Sequence, residues 1–131
     1  MALRRVARVM AAGVALLLVA NGAPSQRARV LDTIERGQWQ LAEREGAVRK
    51  LCFKAPVDFV QLQHGPKACD QVVIAEDSRG ATIRYSCAGH GHGRTTVTVE
   101  TPRLVRIETQ GVADGAPFDY EFEARRIGGC R

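Results

Sequence analysis

Two histidines stand two positions apart in Gly89-His90-Gly91-His92-Gly93, a spacing at which imidazole nitrogens can ligate zinc or copper. A closed zinc site takes about four ligands, and a catalytic one about three from the protein. The third histidine, His64, is distant in the chain, and no carboxylate lies within the loop. The same five residues also read as a glycine-rich hairpin connection in which glycine supplies positive φ angles. That reading is preferred, so no cofactor is expected, and metal binding by His90, His92 and His64 is the outside alternative.

Other reactive chemistry is equally sparse. Asp119, Glu121 and Glu123 recur at every second position beside Arg125 and Arg126. Paired carboxylates could do acid–base work, but carboxylates alternating beside arginines read more simply as a solvated strand face with cross-strand ion pairs. Ser78 sits in a turn signal, Ser86 in a strand pattern, and neither has an adjacent base to activate it. No catalytic residue is assigned, and the domain is expected to be non-enzymatic. The aromatic residues suggest a different role. Trp39, Tyr85 and Phe122 are candidates to line a ligand cavity, since a small β-barrel can enclose one small molecule. A lone tryptophan at a strand start serves equally as a core anchor.

Cys52, Cys69, Cys87 and Cys130 form an even set without a Cys-x-x-Cys spacing. In a small exported domain this reads as a disulfide framework rather than a redox motif or zinc knuckle. Three pairings are open. The favoured one joins Cys52 to Cys69 around the 56–65 excursion and Cys87 to Cys130, tying the C-terminal tail to a central strand. Its main competitor joins Cys69 to Cys87 across a hairpin turning near Ser78-Arg79-Gly80.

The elements that must carry these residues are strand-like. Ile83, Tyr85 and Cys87 share one face while Arg84 and Ser86 take the other. Val97 and Val99 oppose Thr96, Thr98 and Glu100, and Phe118, Tyr120, Phe122 and Ala124 oppose Asp119, Glu121, Glu123 and Arg125. A period of two with one wet face marks antiparallel sheet. Strands are predicted over 38–45, 48–53, 70–76, 81–87, 94–101, 104–111 and 117–125, with short turns between them. A helical turn is predicted at 56–63, and a short N-terminal helix over 28–36 stopping at Gly37. The expected fold is mainly β, an antiparallel meander curling into an open barrel or sandwich.

Arg4, Arg5 and Arg8 precede an apolar run of 12 residues, Val9 to Ala20, which small and turn-forming residues then end. That order predicts a signal peptide over residues 1–20, cleaved after Ala20. The run is shorter than the roughly 20 residues needed to span a bilayer, so no stable membrane span is expected after cleavage. Residues 21–27 read as a disordered spacer and 28–131 as a single domain in the periplasm. Most of the formal charge of +5 belongs to the leader, because 16 basic and 14 acidic residues remain without its three arginines. Those charges alternate rather than cluster, so nucleic acid is not an expected partner.

Taken in order, the Gly37-Gln38-Trp39 start, Leu51-Cys52-Phe53, Cys69, Tyr85-Ser86-Cys87 and the glycine-rich turn resemble the domain of unknown function 3617 family, small exported proteins of Gram-negative bacteria. The resemblance covers about residues 30–131 and departs from many members in having no lipoprotein cysteine after the leader. It implies an exported β domain and supplies no catalytic residues. The expected role is a periplasmic or envelope binding module for a small apolar ligand or an envelope protein partner. The alternative is a structural or stress-related accessory protein without a ligand.

Overall fold

The structure, a computed structural model, describes residues 27–131 together with Ala15. The expected signal peptide, apart from Ala15, and the spacer as far as residue 26 lie outside the described residues. The domain begins with a 3₁₀ helix at Arg29–Thr33, shorter than the helix predicted to residue 36. Ile34 has already turned extended, and the Glu35 N–H donates to the Pro102 carbonyl at 2.8 Å, drawing the chain into the sheet.

Seven strands follow: β1 (Gly37–Glu43), β2 (Val48–Phe53), β3 (Asp70–Glu76), β4 (Gly80–Cys87), β5 (Gly91–Thr101), β6 (Leu104–Ala113) and β7 (Ala116–Gly128). A one-turn helix, α1 (Val57–Val60), lies between β2 and β3. The strand order is β2-β1-β7-β6-β5-β4-β3, and every pairing is antiparallel. Strands β3 to β7 form a meander, and β7 then pairs with β1, which adds the first hairpin to its far side. β2 and β3 remain as edges with no ladder between them. The sheet is therefore open and not a closed barrel, and the 54–69 segment carrying α1 crosses from one edge to the other.

Alternation decides what is buried. Ala81, Ile83, Tyr85 and Cys87 of β4 turn inward with Val97 of β5, Val105 and Ile107 of β6, and Phe122 and Ala124 of β7. Trp39 and Leu41 of β1 join them, both 0 % exposed. Trp39 meets Phe53 of β2 and Phe59 of α1 edge-on at 6.1 and 5.3 Å, while those two phenyl rings stack at 4.3 Å. The outer face carries the charges. Arg106 pairs with Glu100 at 2.7 Å, and Arg125 and Arg44 lie 3.5 and 3.9 Å from Glu123 and Glu121. The Asp119, Glu121, Glu123 series thus sits on the solvated face, and Asp119 contributes to the same surface from an exposed position.

Strand β5 begins three residues earlier than predicted, because Gly91 and Gly93 are ladder residues and not loop. A Cβ on Gly93 would overlap the Tyr85 ring that lies across it. Gly91 has φ +103°, and a Cβ there would overlap the Val112 carbonyl oxygen. Glycine at 93 lets the Tyr85 ring lie on the sheet, and glycine at 91 meets the positive φ and the close approach of the Val112 carbonyl.

The disulfides correct the favoured pairing. Cys69 is bonded to Cys87 and Cys52 to Cys130, with Cα separations of 4.3 and 5.6 Å. Asp70 pairs with Ser86 in the β3–β4 ladder, so Cys69 and Cys87 fall opposite each other one step further along. β1 lies between β2 and β7, with Gln38 paired to both Cys52 and Gly128. That register carries the tail past the end of β1 to Cys52, and Cys69 is committed to the other half of the sheet. Disulfides persist in oxidising, extracytoplasmic compartments, and two of them in this domain fit that environment.

Candidate functional site

Where the two halves of the sheet face one another across the unpaired edges, a solvent-open cleft of about 510 Å³ remains. Phe53 comes from the end of β2 and Ile83 from β4, so both halves wall it. The 3₁₀ helix supplies Leu31 and its two flanking residues Ala28 and Ile34, and the start of the crossover supplies Pro56, Val57 and Val60. Leu31, Ile34, Phe53, Val60 and Ile83 are each at most 5 % exposed, whereas Val57 is 38 % exposed and stands at the mouth. The cleft volume lies inside the roughly 300–1,000 Å³ range of small-molecule sites. Its polar groups are few. Gln71 donates to the Gln61 side-chain oxygen at 3.3 Å, and Asp32 accepts from Arg27 at 2.7 Å. Arg36 completes the rim.

The residues expected to line a cavity do not line this one. Trp39, Tyr85 and Phe122 are 0, 1 and 2 % exposed and belong to the packed core. Trp39 anchors there through its indole N–H, which donates to the Glu35 carbonyl at 3.0 Å. Leu31 and Ile34 fall within the short helix predicted over 28–36. Phe53 and Ile83 carried only strand alternation, which does not tell a packed wall from an open one.

The histidines are placed separately. His64 is 3 % exposed and stands edge-on to Tyr85 at 5.1 Å. Its Nε2 faces the carbonyls of His90 and Val112 at 3.0 and 3.1 Å, and its Nδ1 faces the Tyr85 hydroxyl at 2.9 Å. Carbonyls only accept, so Nε2 carries the proton and, in that tautomer, the Tyr85 O–H donates to Nδ1. His90 is held in the turn by Asp114, 3.0 Å from its Nδ1, and that hydrogen bond lowers the Asp114 carboxyl below its ordinary range. His92 is exposed on the opposite face of β5 from Gly91 and Gly93. His64 therefore meets the loop at its backbone, and among the described residues no three His, Cys, Asp or Glu side chains are grouped to hold a metal ion.

The polar groups around His64 continue inward. Thr109 and Thr95 share a 2.8 Å hydrogen bond, and the Thr95 hydroxyl donates to the Val60 carbonyl at 2.5 Å, fastening α1 to the sheet. Burial pushes the Tyr85 phenol up from 10.0 to about 12. The raised folded-state value means Tyr85 favours the native state below about pH 10, and this contribution is lost as the pH rises toward about 12. We expect the alkaline limb of the unfolding curve to flatten in Tyr85→Phe. Thermal midpoints followed by circular dichroism between about pH 9 and 11.5 would check it, and parallel curves for the two proteins would contradict it.

The chain matches no protein-family model, no curated protein and no solved structure, and the cleft is read from its own geometry.

Proposed function

We propose that this chain is an exported envelope domain of the domain of unknown function 3617 type, delivered to the periplasm by a cleaved leader. Its work is to hold a small apolar ligand, without catalysis. The observation that carries the reading is the cleft of about 510 Å³ between the unpaired sheet edges, walled by apolar side chains from four separate elements. The leader pattern of residues 1–20 and the two disulfides support the compartment. The packing of Trp39, Tyr85 and Phe122 favours the second reading, an accessory protein that binds nothing.

Mass spectrometry of protein recovered from periplasmic extract separates the two. The denatured mass is expected to begin at Asn21 and to lack four hydrogens for the two disulfides. The native spectrum is expected to carry one organic adduct, lost in Val57→Asp, which places a charge at the exposed mouth. Bare protein from the native extract favours the accessory reading, and an intact leader removes the export argument.

A further inference from the structure

We infer that the two free edges of the sheet join copies of this chain to one another, β3 of one copy adding to β2 of the next. This goes beyond the binding reading above and does not depend on it. Strands β2 and β3 end the sheet. Among the described residues, neither 48–53 nor 70–76 makes a backbone hydrogen bond to another backbone outside its own ladder. The outward N–H and C=O groups of both strands are therefore open to an added strand. Val48 on β2 and Val72 on β3 are 56 and 52 % exposed, and a strand laid along either edge would cover apolar surface as well as pair the backbone.

Charge selects the occupant. Residues 70–77 carry Asp70, Glu76 and Asp77 and no base, whereas 48–54 carry Arg49, Lys50 and Lys54 and no acid. No ion pair takes up Lys50, Lys54 or Asp70 among the described residues. Antiparallel pairing of β3 with another β3 would set Asp70 against Glu76, and pairing of β2 with another β2 would crowd Arg49 and the lysines. Like charges facing across strands destabilise both arrangements. Pairing β3 with β2 brings opposite charges together. In the antiparallel register that sets Leu51 opposite Val73, whose ladder neighbours Trp39 and Ile83 are both buried, Lys54 falls opposite Asp70. The bulge between Val73 and Ala75 bends the far end of β3, which leaves Asp70–Val73 as the regular part of the edge. So short a ladder gives weak, reversible association. Each copy carries one edge of each kind, so assembly runs head to tail or closes on itself.

The test is sedimentation velocity on the mature disulfide-bonded protein from about 10 μM to about 1 mM, at low and at high salt. The mean mass is expected to rise with concentration, and to rise less in high salt. Asp70→Lys, and separately Lys50→Glu with Lys54→Glu, should each weaken association about tenfold. All three positions are exposed, so both variants should keep the fold, which circular dichroism checks. Mixing the two variants sets opposite charges against each other again at both edges, and association should return to within about threefold of the unmodified protein. Monomer at every concentration overturns the inference, as does association that neither charge reversal changes. Association lost in both variants and not restored on mixing overturns it as well, because the charges would then act somewhere other than across the β2–β3 contact.

Discussion

Trp39→Ala is expected to lower the unfolding free energy by about 3–5 kcal/mol, a large part of the stability of a domain this size. Trp39 is fully buried and joins three elements, since it belongs to β1 and meets Phe53 of β2 and Phe59 of α1 edge-on. Removing the indole leaves a void under the stacked Phe53–Phe59 pair. It also leaves the Glu35 carbonyl without its 3.0 Å donor. Trp39→Phe keeps much of the packing and loses the N–H, so its cost should be about 1–2 kcal/mol. Denaturant unfolding followed by circular dichroism measures both, because the chain has only one tryptophan and fluorescence is lost with it. A cost below about 1 kcal/mol for Trp39→Ala would mean the walls collapse into the void and that Trp39 is not the anchor. Because Phe53 also walls the cleft, Trp39→Ala should loosen ligand binding even where the domain stays folded.

Some of this was legible in the sequence for a simple reason. β4 and β7 alternate strictly, and one face of each is covered, so Ile83, Tyr85, Phe122 and Ala124 could be assigned inward from period alone. The alternation overreached where the cover ends. Tyr120 shares a face with Phe122, yet it is 36 % exposed. The Gly91 and Gly93 error has the same origin. Glycine in a turn and glycine beneath a tyrosine ring look alike in one dimension, and only the packing of Tyr85 tells them apart.

The rest depended on contacts distant in sequence. The β1–β7 pairing joins residues about ninety positions apart, with Gln38 opposite Gly128, and no local pattern announces it. The Cys52–Cys130 bond and the cleft both follow from that pairing. It sets β2 at one edge and β3 at the other, and it leaves the opening that Phe53 and Ile83 line. Trp39, Tyr85 and Phe122 sit in the core because large aromatics fill space, whereas the cleft is lined by Phe53 together with aliphatic side chains.

The same long-range pairing makes the Cys52–Cys130 bond the more consequential crosslink. It closes a separation of 78 residues, against 18 for Cys69–Cys87. In the chain-entropy account, opening the first should cost about 4.5 kcal/mol and the second about 3.2 kcal/mol. The native contacts point the same way. Cys69 and Cys87 are flanked by the continuous β3–β4 ladder, which keeps that hairpin in register without the bond. Gly129, Cys130 and Arg131 are exposed beyond the end of β7, and the bond to Cys52 is what returns the tail to the sheet. Cys52→Ser with Cys130→Ser should therefore destabilise more than Cys69→Ala with Cys87→Ala, alanine being chosen because Cys87 is buried and a hydroxyl there would lack a partner. Denaturant midpoints of the two double variants test the order. The reverse order would mean that loop length does not set the stabilisation, and that the native-state contacts around Cys69 and Cys87 or residual structure in the unfolded chain outweigh it. A non-reducing proteolytic digest tests the premise directly, since a fragment linking Cys52 to Cys69 would overturn the β1–β7 register along with the pairing.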